Sequence, residues 1–598
     1  MNGSAGFPAL PRKIITIKNT VFPSRQGVDY MSTAKTQEEK LILHYRLFDL
    51  PTAQHKAGLA GLLVMIESMQ RRGLEPLPEI VDLSPTGVTI SLDRDSLQTL
   101  CDDLFDAEII EIQIKSKWQG SAPKETVEVT VEQNGKTKQE KRFVYDILQP
   151  KGLFLQAFFP DKNGAWIELW RNMLWNILRA QPATRKVYEE RTRNEPSGVA
   201  TELYTSLAKE MKQAQKGKRV TESIAGSVFI GAQSKNAETV SFAGVPSQNF
   251  LLHFWHIVSL IFVPRTFTLE RAKDKAGRIK WQDHGFALVI PEPSHLDYFS
   301  EEIRDTLMGL DTEKSGKRPK RAIIDLHQEG GLEYLYYLVH RRSNAVDCVS
   351  AVEIYHIHKQ GNNVRMLAAE RIAPSKGMLD KYERLRKDRK NPLFKRFYLQ
   401  NILQGTPWHQ GSLDIMVTYP AELLVYERGR TPSNMPYFSI DAGKRFHAIE
   451  NDMQATAEEE MNTEENQDNL LALRIRSLVS QYVRRKAESK SKMKLDEFQK
   501  NADGKRIFPK DYREAVEKVC MDAFLALRGR REQDFVEYFT GTLCSVPQYL
   551  PEDDFLLVSQ ALINERDKVK ALSMLAVSAC SYLPVNKESK KDNKGEKS

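Results

Sequence analysis

Residues 41–73 read LILHYRLFDLPTAQHKAGLAGLLVMIESMQRRG, and this stretch decides the fold. Residues 41–50 read as a strand; Pro51 and Thr52 then open a helix through Met69, and Gly73 closes it. Leu59, Leu62, Leu63 and Ile66 recur at i, i+3, i+4 and i+7, the spacing of one buried helical face. Working outward, 80–92 reads as a hairpin turning on Ser84-Pro85-Thr86-Gly87, 95–105 as a short helix and 109–114 as a strand. A second hairpin spans 125–145, with Asn134-Gly135 as its turn. Consecutive hairpins beside amphipathic helices predict an α+β body with antiparallel pairing, not a βαβ series.

Further along, 166–179 and 201–215 have helical period, and 227–233 with 238–242 read as two strands around the polar loop Ser234-Lys235-Asn236. The apolar run FLLHFWHIVSLIFV at 250–263 reads as a buried helix stopped by Pro264, since it is about five residues too short to cross a bilayer. Short β-like runs follow at 287–290, 322–326 and 349–355. Between Glu450 and Asp468 stand eight acidic residues and no basic one, which reads as a solvated linker or the acidic start of a helix. Beyond it the period is helical throughout. Leu471, Ile475, Leu478, Val479 and Tyr482 form one stripe; Val516, Val519, Cys520, Ala523, Phe524 and Leu527 form another, with Asp511 and Glu514 as a capping box and Gly529 as the stop. Two more helices cover 551–564 and 566–582. The expected organisation is a tail over 1–30, with Met31 as an alternative start, a large mixed body over 31–449, the acidic linker 450–468, an all-α helical bundle over 469–585, and a lysine-rich tail over 586–598.

The chain has 598 residues, with 41% hydrophobic and 28% charged, a globular composition with neither a secretory nor a membrane segment. Five cysteines, far apart and without a C-x-x-C pair, argue against a disulfide scaffold or a thiolate zinc site and for a reducing cytoplasm. The net charge of +8 conceals segregation. Residues 381–396 (KYERLRKDRKNPLFKR) hold eight Lys or Arg against two acids, and smaller basic runs lie at 209–219, 314–321 and 484–494. Any one run taken alone is an ordinary solvated face; four together are what phosphate-backbone binding uses, because each neutralised phosphate releases counterions. The candidate backbone contacts are Lys216, Lys218, Arg219, Lys317, Arg318, Lys320, Arg321, Arg384, Arg386, Lys387, Arg389, Lys390, Lys395 and Arg396. In the bundle they are Arg474, Arg484, Arg485, Lys486, Lys490 and Lys492, with Arg474 and Arg485 near one helix edge because eleven residues make almost three turns. Base readout needs amide side chains on a short loop, and Gln233, Lys235 and Asn236 have that chemistry, although an ordinary polar hairpin loop has the same composition.

Motifs for phosphate loops, nucleophile elbows, zinc proteases and dinucleotide folds are all missing, so catalysis ranks below binding. Lys314-Ser315-Gly316-Lys317 fails as a phosphate loop because Arg318 stands where Ser or Thr is needed. His253 and His256 read as satisfied core histidines, with no carboxylate or cysteine nearby to complete a metal site. The alternative from another class is a metal-dependent nuclease using His356, His358, Asp325 and His327; His356 and His358 alternate on a strand and so face one side. A scaffold that binds only protein is a third reading.

The stretch LFDLPTAQHKAGLAGLL at 47–63, with FIGAQ at 229–233 and LLHFW at 251–255, resembles the large subunit of the type I CRISPR Cascade effector, and more narrowly the Cas-eight proteins of the Cmx-eight kind in type I-B systems. The resemblance covers 41 to about 445. It implies a non-catalytic, cytoplasmic subunit without a cofactor in a ribonucleoprotein of antiviral defence. Its implied partners are crRNA, target double-stranded DNA, the Cascade backbone, Cas-five and small subunits, and the Cas-three helicase-nuclease. Its implied work is recognition of the protospacer-adjacent motif (PAM), duplex opening, R-loop stabilisation and recruitment of the helicase-nuclease, while pairing reads the long sequence. The helical C-terminal part would correspond to the small-subunit-like bundle, with a second product starting at Met453 or Met461.

Overall fold

Leu41, Leu43 and Tyr45 are buried and alternate with exposed neighbours along strand β1 (Leu41–Arg46), so the first strand lies with one face on a core. The computed structural model describes residues 40–584 except 119, 134–135, 162–163, 232–241, 273–274, 340–344, 361–362, 388–389, 456–462, 501–503, 505 and 546–550. The chain divides into two units between Glu39 and Lys40, and the described fold is that of the unit from Lys40 onward.

After β1, Thr52 caps helix α1 (Ala53–Arg71) by accepting from the His55 backbone N–H, and Gly73 takes positive φ to end the turn. Strands β2 (Glu79–Ser84) and β3 (Gly87–Leu92) form the expected hairpin, and β1 joins it in the order β1-β3-β2. Helix α2 (Arg94–Leu104) starts on a capping box between Asp93 and Ser96. Strands β4 (Ala107–Ile114), β5 (Glu125–Gln133) and β6 (Lys136–Pro150) make a second antiparallel sheet, and helices α3 (Ala165–Met173) and α4 (Gly198–Ala214) follow.

The run at 250–263 departs from expectation. It ends helix α5 (Pro246–Leu251), passes through one tight turn at Trp255–Ile257 and enters strand β7 (Leu260–Ala272), with Pro264 inside the strand. A continuously apolar run has no period to separate helix from fully buried strand. β7 carries β8 (Lys275–Asp283) on one side and β9 (Phe286–Pro293) on the other. Helix α6 (Leu296–Met308) and helix α7 (His327–Val339) precede strands β10 (Val349–Gln360) and β11 (Asn363–Ile372). These strands complete a sheet in the order β8-β7-β9-β10-β11, and Ile323–Ile324 pairs with β7 in parallel. Leu260, Val289 and Ile354 stand in register on the face covered by α7, where Gly330 meets Phe262 and Val289, and Gly331 meets Ile354. The opposite face of β9 takes α1, with Lys56 paired to Glu292 at 2.8 Å. Burial on both faces explains why β9 reads as unbroken apolar sequence. The strand expected at 227–233 does not form over its described residues 227–231, which are turns; Asn134, Gly135 and 232–241 lie outside the described residues.

From 376 onward helices dominate: α8 (Lys376–Arg386), α9 (Pro392–Gln404), α10 (Phe438–Ala455), α11 (Glu464–Ser491), α12 (Lys510–Gly529), α13 (Glu532–Gly541), α14 (Glu552–Asn564) and α15 (Arg566–Cys580). The acidic stretch supplies the end of α10 and the start of α11. The capping box expected at Asp511 does not form, because Pro509 stands at the cap position and the helix begins at Lys510. Two cores result. The first runs from Leu41 to Ile402, the second from Ile279 to Val577, and α9 serves both: Leu399 and Ile402 face the first, Leu393, Phe394 and Phe397 the second.

Candidate nucleic-acid interface

Helix α7 carries Glu329 and Glu333 at i, i+4 in an otherwise apolar segment, so two acids are turned into the body and need positive partners. The basic run 381–396 provides them. Lys395 on α9 pairs with Glu329 and, at 3.2 Å, with Asp325; Arg265 on β7 takes the other Asp325 oxygen at 2.7 Å. Arg386 on α8 donates to Glu333 at 2.6 Å and lies over the Tyr336 ring at 4.2 Å, and the Tyr382 hydroxyl donates to the same Glu333 oxygen at 2.7 Å. Burial alone would raise the Asp325 carboxyl, but Lys395 and Arg265 hold it below the ordinary value. Burial opposes the charged Lys395 amine, and Glu329 and Asp325 outweigh it, raising its pKa. Glu329 is raised, burial being the larger influence.

These ion pairs form the floor of a cavity of about 550 Å³. Its walls bring together two basic runs about 60 residues apart: Lys320 and Arg321 from one, Arg386, Lys387, Lys390 and Lys395 from the other, with Arg265 between them. Seven cations thus face three carboxylates, Asp325, Glu329 and Glu333. The rim pairs are of another kind from the floor. Lys320 meets Glu313 at 2.7 Å, Arg321 meets Asp311 at 3.7 Å and Lys387 meets Glu383 at 3.2 Å, with both lysines well exposed. Exposed pairs contribute only about 0–1 kcal/mol, so a phosphate can replace the acid at the rim, whereas the buried floor cations are committed to the fold.

The remaining basic residues are dispersed. Lys216, Lys218 and Arg219 are exposed after α4, with no acidic partner among the described residues. Lys317 is exposed on the turn next to Gly316, and Arg318 pairs with Asp283 at 2.6 Å. Arg384 is exposed, Arg396 donates to the Tyr419 hydroxyl at 3.2 Å, and Arg389 lies outside the described residues. On α11, Arg474 reaches Asp554 on α14 at 2.8 Å, Arg484 bridges Glu488 and Asp496, and Lys490 meets Asp522 at 3.2 Å. Arg485, Lys486 and Lys492 remain exposed. Gln233, Lys235 and Asn236 lie outside the described residues.

The sequence model of the type I-B CRISPR Cas8b N-terminal domain matches residues 77–347, and that of the Cas8b C-terminal domain matches residues 349–580. The chain belongs to the type I-B CRISPR Cas8b family. It is therefore a large subunit and a component of a CRISPR effector complex. No curated protein matches the chain. None of its described helices is long and apolar enough to cross a membrane.

In this Cas8b chain the histidines of the nuclease alternative do gather, but without their carboxylate. His284, which no motif singles out, stacks on His358 at 5.3 Å and meets His356 at 5.1 Å, and His356 stacks on His327 at 5.1 Å. His356 Nε2 donates to the His284 carbonyl at 2.7 Å, and His327 is engaged with Glu370 at 2.8 Å. Asp325 gives both oxygens to Arg265 and Lys395 instead. Among the described residues no group of three or more His, Cys, Asp or Glu is placed to hold a metal ion. The signal that could have found the floor is the pair Glu329 and Glu333: two acids at i, i+4 on an apolar helix announce buried cations elsewhere.

Proposed function

We propose that this Cas8b chain is the non-catalytic, nucleic-acid-binding large subunit of a crRNA-guided complex, with the basic cavity of α7, α8 and the 314–321 hairpin as a seat for phosphate backbone. The observation that carries this reading is the convergence of two distant basic runs on one cavity, with rim lysines held in exchangeable surface pairs. The test is the salt dependence of oligonucleotide affinity. Glutamate at Lys320, Lys387 and Lys390 together lowers the slope of log K against log salt by about 2–3, one phosphate contact per residue; an unchanged slope rejects the cavity.

The finer tasks belong to the same proposal: reading the PAM, opening the duplex, stabilising the R-loop and recruiting the helicase-nuclease, alongside crRNA, Cas-five, backbone and small subunits. Gln233, Lys235 and Asn236 are the proposed base readers. Alanine at these three abolishes motif-dependent duplex binding and spares complementary single strands, and equal loss of both rejects the assignment. Incubating labelled DNA with the protein and Mg²⁺ or Mn²⁺ tests the non-catalytic reading: cleavage that is lost on His356→Ala would establish the nuclease instead.

A further inference from the structure

A second cavity, about 400 Å³, lies between α4, the segment 222–228 and the continuation of α5 to His253. Its volume is within the roughly 300–1,000 Å³ of small-molecule sites. Phe105, Val187, Leu203, Ile224 and Val228 supply apolar walls. Against them stand two side chains with unmet hydrogen bonding: Nδ1 of His253 and Oδ1 of Asn249 are buried without a partner among the described residues. In the sequence His253 and His256 look alike, two satisfied core histidines. His256 is one, since Trp170 Nε1 donates to its Nδ1 at 3.3 Å; His253 is not. Leaving a buried polar atom unpaired costs about 1–3 kcal/mol, a cost that a hydrogen-bonding occupant of the cavity would remove. Burial, and then the Arg179 charge, lower the His253 pKa to about 3, so the ring is neutral, and Phe105 meets it edge-on at 6.2 Å.

The wall also carries Glu202 and Glu222 against a single cation, Arg179, which donates to the Ser227 carbonyl, so the interior is not built for an anion, while a purely apolar occupant would leave His253 and Asn249 unmatched. Further cations stand outside. Lys216, Lys218 and Arg219 are exposed, and Arg219 is three residues from Glu222, within ~11 Å by chain reach. A planar, neutral, hydrogen-bonding group joined to phosphate satisfies all of these demands. We propose that this cavity receives one unstacked base of a single-stranded nucleic acid, with His253 and Asn249 on the base edge and Lys216, Lys218 and Arg219 on the adjoining phosphates. The inference rests on the nucleic-acid-binding reading above but on a different part of the body.

The experiment compares a short labelled oligodeoxyadenylate with a fully abasic oligomer of equal charge, using the full chain. The intact strand binds about tenfold more tightly, the preference expected from holding one base. Ser206→Trp, which fills the cavity from α4, removes the preference and leaves abasic affinity and its salt slope unchanged; His253→Phe reduces the preference severalfold, and serves alone if Ser206→Trp does not fold. Free adenosine 5′-monophosphate that matches the oligonucleotide's affinity overturns the strand assignment in favour of a mononucleotide. Equal binding of intact and abasic strands, or a preference that survives both substitutions, overturns the base pocket while leaving backbone binding in place. Failure of both oligomers to bind overturns the broader reading with it.

Discussion

Lys395 shows how a residue in a basic run can belong to the core rather than to a ligand. Its amine lies between Asp325 and Glu329, both buried, so the cation that a nucleic acid would need at the surface neutralises the floor. Lys395→Met is expected to destabilise the protein by about 3 kcal/mol, because removing one member of a buried pair strands the other. Urea unfolding checks it, and an unchanged midpoint would show that the pair is dispensable. The buried histidines give a pH dependence with a definite sign. Burial lowers His55 from 6.5 to about 4; burial, with the nearby Arg179 and His253, lowers His256 to about 3. Below pH 6.5 the unfolded chain takes up protons that the folded one refuses, so stability is complete above that value and falls as the pH drops toward the folded values. Each ring costs about 1.4 kcal/mol per pH unit in that window. Denaturation measured near neutrality and about one unit below pH 6.5 should differ by about 3 kcal/mol from these two rings; a flat profile contradicts their burial as neutral groups.

At the scale of elements, α1 owes its position to two glycines one helical turn apart. A side chain at Gly58 would strike the carbonyl of Leu251, and one at Gly61 the carbonyl of Phe254, so α1 lies directly on the backbone of α5 and the turn after it. Gly58→Ala is predicted to destabilise by about 2 kcal/mol despite the better helix propensity of alanine, because the obstacle is backbone. Gly377→Ala on α8, where nothing lies within 4 Å, should instead stabilise by about 0.5 kcal/mol. Thermal midpoints moving in opposite directions confirm the contrast, and two shifts of the same sign refute it. The edge strand β11 shows the opposite condition: Val364, Met366 and Leu367 are exposed along it.

For the whole molecule, the boundary between the two matched family segments falls inside one sheet. β9 precedes residue 348 and β10 follows it, yet the two pair from Phe286 to Pro293. A chain ended at residue 348 therefore bares an apolar strand edge and is expected to self-associate on size-exclusion chromatography, where a stable monomer would refute the argument. The bundle has a similar dependence. Phe438, Ala442, Phe446 and Ile449 of α10 belong to its core and lie ahead of Met453. A product starting at Met453 lacks that face, so it should be soluble only with another chain covering α15, and a soluble monomer of that product alone refutes the argument.

The stripes of α11 and α12 were legible without coordinates, because each helix has a solvent side and a solvent side writes a period into the sequence; α1, buried on nearly every side, was legible from its Pro51-Thr52 start and its Gly73 stop. The 250–263 run has no solvent side, so neither its break nor its entry into the sheet was written there. Charge behaved in the same way. Local sequence determined that cations cluster at 314–321 and 381–396 and that the family is Cas8b. Only the tertiary structure decided which of those cations face acids in the core and which ring an open cavity, because partners such as Glu329, Glu333 and Arg265 come from other parts of the chain, and pairing depends on distance in space rather than along the sequence.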